Sequence, residues 1–277
     1  MSIVLVTVVK NDLTGLEVTA KSVISQNCKV SWIIVTPFDH SPTFQFAESL
    51  KNEGIVRETI HDLGQGIYTA MNTSLPIIEE NEWVWFLNAG DEFASVETFC
   101  NATKSIEKSS HQWVFGSHII SSSLGHALGI KVAPKSFNAR EQLYSKNHIS
   151  HQATVFSKRI LNVLGGFNEN YRIAADWDLI VRASKLDPGE NINMLMCIFK
   201  MGGFSTLNRQ LANNELWILR SEHIYNGRSL MNFTWYQYRK LRNFLVIHGE
   251  KFFPNILNSI RKRKLSIKNI LMRKKIC

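Results

Sequence analysis

The chain has 277 residues, of which 44% are hydrophobic and 20% are charged, as in an ordinary globular protein. No apolar run reaches the about 18 to 20 residues that a membrane-spanning helix needs, and the scattered cysteines lack zinc-like spacing, so we expect a reducing, cytoplasmic location. The net charge of +9 is uneven, because residues 239–277 carry +11 and the other 238 residues carry −2.

The first part of the chain alternates between strand and helix patterns. The β-branched run from Ser2 to Val9 predicts a buried parallel strand, and the segment from Leu13 to Gln26 predicts a helix with Thr14 as its N-cap. The next predicted elements are a strand at 30–35, a helix at 44–52 and a strand at 55–60. This order indicates βαβ units in a doubly wound α/β sheet. No G-x-G-x-x-G motif follows the first strand, which argues against a dinucleotide-binding domain.

A second buried strand, Trp83 to Leu87, is followed at once by Asn88, Gly90 and Asp91. In open α/β sheets ligands bind outside the carboxyl ends of the strands. The hard, anionic carboxylate of Asp91 would suit a divalent cation that also binds phosphate oxygens, and an ordinary turn is the alternative. A helix is predicted before this strand within 64–80, with a helix at 95–108 and a strand at 112–117 after it.

The pattern loosens between residues 121 and 147, where a strand at 127–132 is expected within either a substrate-facing lid or a tolerated surface loop. Regular patterns then return. The predicted elements are strands at 151–156 and 194–200 and helices at 159–164 and 174–185.

From residue 213 the sequence indicates a helical extension that becomes strongly basic. Aromatic residues such as Trp235, Tyr236, Phe244, Phe252 and Phe253 interleave with the lysines and arginines. Basic helices with an apolar face bind anionic bilayer surfaces. We therefore expect residues 213–277 to associate with the inner face of the cytoplasmic membrane, a solvated tail being the alternative. No nucleic-acid partner is expected, because no recognition motif accompanies the charge.

Four motifs resemble family 2 glycosyltransferases, the inverting, nucleotide-sugar-dependent enzymes with the GT-A fold. They are the opening segment 2–26, Gly66 to Asn72 (similar to G-I-Y-D-A-M-N), Phe86 to Asp91 at the place of the D-x-D metal motif, and His151-Gln152 followed by 165–169 and 175–179. The similarity is strongest to bacterial members that build capsule, colanic-acid-like or O-antigen polysaccharide, and it covers residues 2–210.

The resemblance implies a GT-A domain over residues 1–212, with a Rossmann-like, mostly parallel sheet between helices. It also implies Mn²⁺ or Mg²⁺ as cofactor, a nucleotide-sugar donor and a lipid-linked or oligosaccharide acceptor. The chain departs from the family at Thr36 to Ser41, where D-G-x-S-x-D is usual, and at Thr69 and Ala175, which replace acidic residues. Asn88 lies near the position of the missing first D-x-D carboxylate.

The same motifs assign roles to individual residues. Asp176 matches the catalytic base, although an Asp at a helix start can also be a simple cap. Asp91 and His151 are the expected metal ligands, a structural role being the alternative for His151. Trp177 and Gln152 are expected to contact the acceptor. The expected donor-site residues are Thr7, Val9, Asp62, Gly66, Tyr68, Asn72, Asn88 and Ala89. Tyr68 could equally belong to the helix core.

Two other functions remain open at this stage. A sugar-phosphate nucleotidyltransferase has a similar sheet but carries a Gly-rich, basic loop after its first strand, and Val9 to Asp12 is not such a loop. A basic nucleic-acid-binding protein would bind through residues 239–277.

Overall fold

The computed structural model describes residues 1–38, 40–62, 64–122, 125–144, 148–202, 208–224 and 233–241. Its strands are β1 (Ile3–Val8), β2 (Ser31–Pro37), β3 (Glu58–Asp62), β4 (Trp83–Phe86), β5 (Glu92–Phe93), β6 (Trp113–Ser121), β7 (Ala127–Lys131), β8 (Thr154–Ser157) and β9 (Glu190–Lys200). Its helices are α1 (Leu13–Ile24), α2 (Pro42–Asn52), α3 (Ile67–Ser74), α4 (Thr98–Lys108), α5 (Ala139–Tyr144), α6 (Lys158–Leu164), α7 (Ala175–Leu186) and α8 (Arg209–His223). Residues 233–241 are also helical.

The described strands form one sheet in the order β3-β2-β1-β4-β8-β6-β9-β5, with β7 paired to β6. The strands β3, β2, β1 and β4 are mutually parallel, as the alternation of strand and helix patterns predicts. The other half is mixed, because β8 runs antiparallel to both β4 and β6, and β9 is parallel to β6 but antiparallel to β5. The expectation of a mostly parallel sheet therefore holds for the first half only.

Helices cover both faces of the sheet, which explains why β1 is apolar except for Thr7. Val4, Val6 and Val8 belong to the core cluster under α3 and α7, while Ile3 and Leu5 belong to the cluster under α1, α2 and α4. All six residues of β1 are buried. The strands β1, β3 and β4 run in the same direction, so the segments that follow them lie at one edge of the sheet.

Local signals shift two predicted boundaries. Asp12, not Thr14, caps α1, because the Asp12 carboxylate accepts the backbone N–H of Gly15 at 2.9 Å and Thr14 already lies inside the helix. His151 does not begin a strand, because residues His151–Ala153 form a short 3₁₀ turn and the strand begins at Thr154. The loosely patterned region contains β7 and also α5, a helix that the sequence did not predict.

Two of the scattered cysteines are paired. Cys28, after α1, and Cys100, in α4, form a disulfide across a sequence separation of 72 residues. Such a separation carries no local signal, since packing of the two helices on the same sheet face brings the thiols together. The sequence reasoning therefore did not predict the pairing.

The helix α8 crosses the predicted domain boundary between residues 212 and 213. Leu216 and Leu219 in this helix belong to the core cluster that also contains α7. The helix α8 therefore packs with the body of the domain. Most of the predicted basic extension, residues 242–277, lies outside the described part. None of the helices in the described ranges combines the length and hydrophobicity needed to cross a bilayer.

Candidate active site

An open pocket of about 670 Å³ lies at the carboxyl edge of the parallel strands. Its walls are the ends of β1 and β3, the first turn of α3, and the loop around Glu169 and Arg172. Gly64 and Gly66 shape the entry to α3 with φ angles of +76° and +134°, a region that side-chain-bearing residues rarely adopt. The pocket therefore depends on the glycines of the Gly64-Gln65-Gly66 loop.

A chain of polar contacts runs behind this pocket. The Tyr68 hydroxyl lies 2.6 Å from the Ile173 carbonyl oxygen and 3.3 Å from Asp176 Oδ1. Asp176 Oδ2 lies 3.0 Å from His151 Nδ1, and His151 Nε2 lies 3.2 Å from the Asn88 amide nitrogen. With Nδ1 protonated, the imidazole donates to Asp176 and accepts from Asn88. Side chains from α3, from the segment after β4 and from the 3₁₀ turn thus form a chain that passes through Asp176 at the start of α7.

Tyr68 contacts Asp176 from a buried position. Burial is the largest cause that raises the pKa of the Tyr68 phenol well above its ordinary value, and the Asp176 charge adds to it. The phenol therefore stays protonated at neutral pH and remains a hydrogen-bond donor.

Asp91 lies next to these polar contacts but is buried away from solvent. Its Oδ1 accepts the backbone N–H of Lys200 at 2.9 Å, its Oδ2 accepts the Gln152 amide at 3.1 Å, and the residue is only 3% exposed. Burial raises the pKa of Asp91 to about 7, against the hydrogen bonds from Lys200 and Gln152 and the charge of His151, which lower it. Direct metal ligation by Asp91 would require rearrangement of these bonds, so we assign it to holding the end of β9 and the 3₁₀ turn.

Asn72, predicted to contact the donor, instead hydrogen-bonds to the loop that contains Phe167 and Glu169. Its amide nitrogen donates to the Phe167 carbonyl and to Glu169, and its Oδ1 accepts the Phe167 N–H at 2.9 Å. A Cβ on Gly166 would lie 2.4 Å from that oxygen, and Gly166 has a φ of +72°. The loop that carries Glu169 into the pocket wall is therefore fixed from α3.

Glu215 in α8 holds the start of α7. Its carboxylate accepts three backbone N–H groups, those of Arg172, Ile173 and Ala174, each at 2.9 Å. Ile173 supplies the carbonyl that meets Tyr68, and Ala174 precedes the helix that carries Asp176. Sequence reasoning missed Glu215, because no local pattern links a helix residue to a loop about forty positions earlier.

The structure brings some of the predicted site residues together and separates others. Val9, Asp62, Gly66 and Tyr68 line the pocket. Thr7 is fully buried in the sheet and accepts the Trp32 indole N–H, so it is not a donor contact. Asn88 and Ala89 lie outside the pocket lining, with Asn88 against His151.

The two predicted acceptor residues also separate. Gln152 is 3% exposed and bonded to Asp91, which removes it from any acceptor surface. Trp177 lines a second cavity, together with His148 and Trp235. Arg182 and Asp178 form an ion pair along α7, and Asp178 also lies 2.9 Å from His223, so contacts within the protein engage both side chains.

The residues around Asn88 offer a divalent cation two ligands only if the Asn88 amide turns away from His151, because the amide nitrogen lies 3.2 Å from His151 Nε2. Asn88 Oδ1 is buried, and the described residues give it no hydrogen-bond partner. A histidine that donates one ring N–H to a carboxylate and offers its other nitrogen is the usual arrangement at protein metal sites, and His151 with Asp176 has that form. Among the described residues no group of three or more His, Cys, Asp or Glu side chains is placed to hold a metal. Substrate oxygens would have to complete the coordination.

Comparisons with known proteins bear on what this edge of the sheet does. No protein-family model matches the chain. An uncharacterized glycosyltransferase of Mycobacterium tuberculosis is 23% identical over 268 residues, which are 93% of this chain and 97% of the relative. A PGL/p-HBAD biosynthesis glycosyltransferase of Mycobacterium bovis is 29% identical over half of each chain.

Solved structures share the fold. Staphylococcus aureus TarS in complex with UDP-GlcNAc superposes with a TM-score of 0.63 at 12% identity, covering 96% of this chain and 79% of TarS. A mannosyltransferase of Pyrobaculum calidifontis in complex with GDP-Man and Mn²⁺ gives 0.55 at 13% identity, covering 86% and 68%. Together these comparisons indicate a glycosyltransferase. The prediction of a glycosyltransferase with a Rossmann-like α/β sheet is thereby confirmed, while the residue roles stay predictions.

The contact between Glu215 and the start of α7 makes a stability prediction for this glycosyltransferase. Glu215→Gln keeps the side-chain shape but leaves only one accepting oxygen for three N–H groups. A buried donor left without an acceptor costs about 1–3 kcal/mol, so we expect the free energy of unfolding to fall by about that amount. Urea unfolding followed by circular dichroism measures the change.

The matched control is Glu222→Gln in the same helix, whose carboxylate accepts one hydroxyl, that of Tyr171, among the described residues. We expect it to be nearly neutral. Equal unfolding midpoints for the two variants would show that Glu215 does not hold the start of α7.

Proposed function

We propose that this protein is an inverting, metal-dependent glycosyltransferase that moves a sugar from a nucleotide-sugar donor to a glycan acceptor in surface polysaccharide synthesis. The observation that carries the proposal is the position of Asp176. This carboxylate is held by His151 and the first turn of α7, and Tyr68 connects it to a pocket large enough for a nucleotide sugar. The named relatives and the TarS and mannosyltransferase complexes support the donor class.

The pocket has the groups that a nucleoside diphosphate needs. The first turn of α3 lines it, and unpaired backbone N–H groups at a helix start bind phosphate oxygens. Lys10 and Arg172 add positive charge to the walls. Asp62 Oδ1 is buried and has no hydrogen-bond partner among the described residues, so it can accept from a donor hydroxyl. Asp62, Gly66, Tyr68 and Val9 are therefore our proposed donor contacts.

Asp176 is the proposed general base. Inversion requires an acceptor hydroxyl to lose its proton on the face of the sugar opposite the leaving diphosphate. The N–H groups of His151 and Trp177 fix the two Asp176 oxygens, at 3.0 Å and 2.9 Å, and so orient the carboxylate toward one direction of proton transfer. Positioning of the base then contributes to the rate as much as its basicity does.

His151 Nε2 and Asn88 Oδ1 are the proposed ligands of a Mn²⁺ or Mg²⁺ ion, and the Asn88 amide nitrogen would have to leave His151 Nε2 for the ion to bind. When bound, the ion supplies a Lewis acid for the leaving phosphate oxygens. Asp91, predicted as a ligand, would instead hold the turn that carries His151 through Gln152. The acceptor is proposed to be lipid-linked, which the basic tail would bring to the membrane.

Nucleotide binding tests the proposed activity first. We expect one of UDP, GDP, dTDP or CMP to raise the melting temperature in Mn²⁺ or Mg²⁺, because a ligand at about 100 times its Kd stabilises the native state by about 2.7 kcal/mol. EDTA should remove the shift, and His151→Ala should weaken the metal dependence. A chain that no nucleotide stabilises would contradict the proposed donor site.

Asp176→Asn tests the base. The amide keeps the size of the side chain but cannot take a proton, so we expect turnover to fall about 10²–10⁴-fold while nucleotide binding is retained. Asp178→Asn in the same helix is the control, because Asp178 pairs with Arg182 and His223 away from the pocket. It should lower stability and leave turnover per folded molecule within a few-fold. Comparable turnover in Asp176→Asn and wild type would remove Asp176 from this role.

Vesicle sedimentation tests the membrane proposal. The full chain should pellet with vesicles containing an anionic phospholipid, and a variant ending at residue 238 should not, because it lacks the +11 segment. Neutral vesicles are the control. If both forms pellet equally, or if the full chain ignores anionic vesicles, residues 239–277 do not direct membrane binding.

A further inference from the structure

The helix formed by residues 233–241 has one face on the protein and another in solvent. On its inner side, Trp235 meets the Tyr144 ring of α5 edge-on, with centroids 5.7 Å apart. The Tyr236 hydroxyl donates to Asn214 of α8 at 3.0 Å. These contacts dock the helix on α5 and α8 and fix which of its faces points outward.

The outward side of this helix carries large apolar side chains. Phe233, Tyr238 and Leu241 are 51%, 62% and 59% exposed, and we call these three residues the outer face. Because an α-helix turns about 100° per residue, they fall within an arc of about 140°. The helix contains no acidic residue. A contiguous exposed apolar surface of this kind marks an interaction site.

The outer face lies on a defined side of the molecule. Leu143 of α5 and Leu216 and Leu219 of α8 belong to the core cluster that also contains residues of α3 and α7. The helices α1, α2 and α4 pack on the opposite side of the sheet. A partner that covers the outer face would therefore lie on the side of the sheet that carries α3 and α7.

Charge indicates what covers the outer face. Residues 239–277, which begin within this helix, carry a net charge of +11. An apolar helix face that continues into a strongly basic segment suits an anionic bilayer, where apolar side chains enter the headgroup region and basic residues meet the lipid charges. A second copy of the chain would bring a second +11 segment to the same place, and like-charge repulsion opposes that contact.

We propose that the outer face inserts into the headgroup region of an anionic bilayer, so that the membrane lies on the side of the sheet that carries α3 and α7. This rests on the membrane association in the proposed function. It extends that association from the basic tail to a docked helix of the domain. The basic residues attract the surface, the three apolar side chains anchor the helix in it, and a lipid-linked acceptor reaches the domain from that side.

Sedimentation of the full chain with vesicles of phosphatidylglycerol and phosphatidylcholine tests the outer face. The double variant Phe233→Ser/Leu241→Ser removes two exposed apolar side chains and leaves every charge in place. We expect its partition coefficient to fall at least about tenfold, because the transfer of each such side chain out of water contributes to binding. If this variant loses its melting transition, Tyr238→Ser takes its place.

The matched control is Ile24→Ser/Val96→Ser. These side chains are 54% and 46% exposed, and Ile24 ends α1, on the opposite side of the sheet. The backbone N–H of Asn27 donates to the Val96 carbonyl at 2.8 Å, which places Val96 near the same end of α1. We expect this control to bind the vesicles as the wild type does.

Two outcomes overturn the proposal while the basic tail keeps its role. One is equal vesicle binding by the two double variants. The other is a wild-type dimer in light scattering that becomes a monomer in Phe233→Ser/Leu241→Ser, because a second copy would then cover the outer face.

Nucleotide titration of the same samples separates this proposal from the proposed transferase activity. Stabilisation by a nucleotide without any binding of the full chain to anionic vesicles overturns the membrane contact and leaves the transferase standing. Absence of nucleotide binding in the wild type contradicts the transferase, whatever the vesicles show.

Discussion

One carboxylate in α8 organises the active-site side of this molecule. Glu215 collects the three N–H groups of residues 172–174, which would otherwise be buried without acceptors at the entry to α7. The same loop gives the Ile173 carbonyl to Tyr68 and leads directly into Asp176. The packing of α8 on the core thereby sets the orientation of the proposed base, and the helix belongs functionally to the domain.

A second buried carboxyl, Asp91, joins three other segments of the domain. Its pKa of about 7 reflects burial, and its two hydrogen bonds offset part of the desolvation cost. Those bonds tie the end of β9 and the turn around Gln152 to the segment after β4. His151, in the same turn, then reaches both Asp176 and Asn88. Two buried acids therefore hold the segments that carry Asp176 and His151.

The sequence predicted what local patterns control. The β-branched strand β1, the apolar strand β4 and the acidic start of α7 lie where the periodicity indicates, and the glycosyltransferase class is confirmed by the comparisons. It did not predict what depends on long-range packing. Three features join residues far apart in sequence: the antiparallel pairing of β8 with β4, the cysteine pair, and the hydrogen bonds from residues 172–174 to Glu215. Asp91 shows the same limit, because its burial and its partners are invisible in the motif that contains it.

The contacts around Asp176 divide into those that reach the pocket and those that hold the carboxylate. Tyr68 lines the pocket, and its hydroxyl lies 3.3 Å from Asp176 Oδ1. The backbone N–H of Trp177 and the His151 ring contact the two carboxylate oxygens, and neither residue lines that pocket. A change in the other pocket-lining residues can therefore alter the proposed donor specificity while the contacts that orient Asp176 stay fixed.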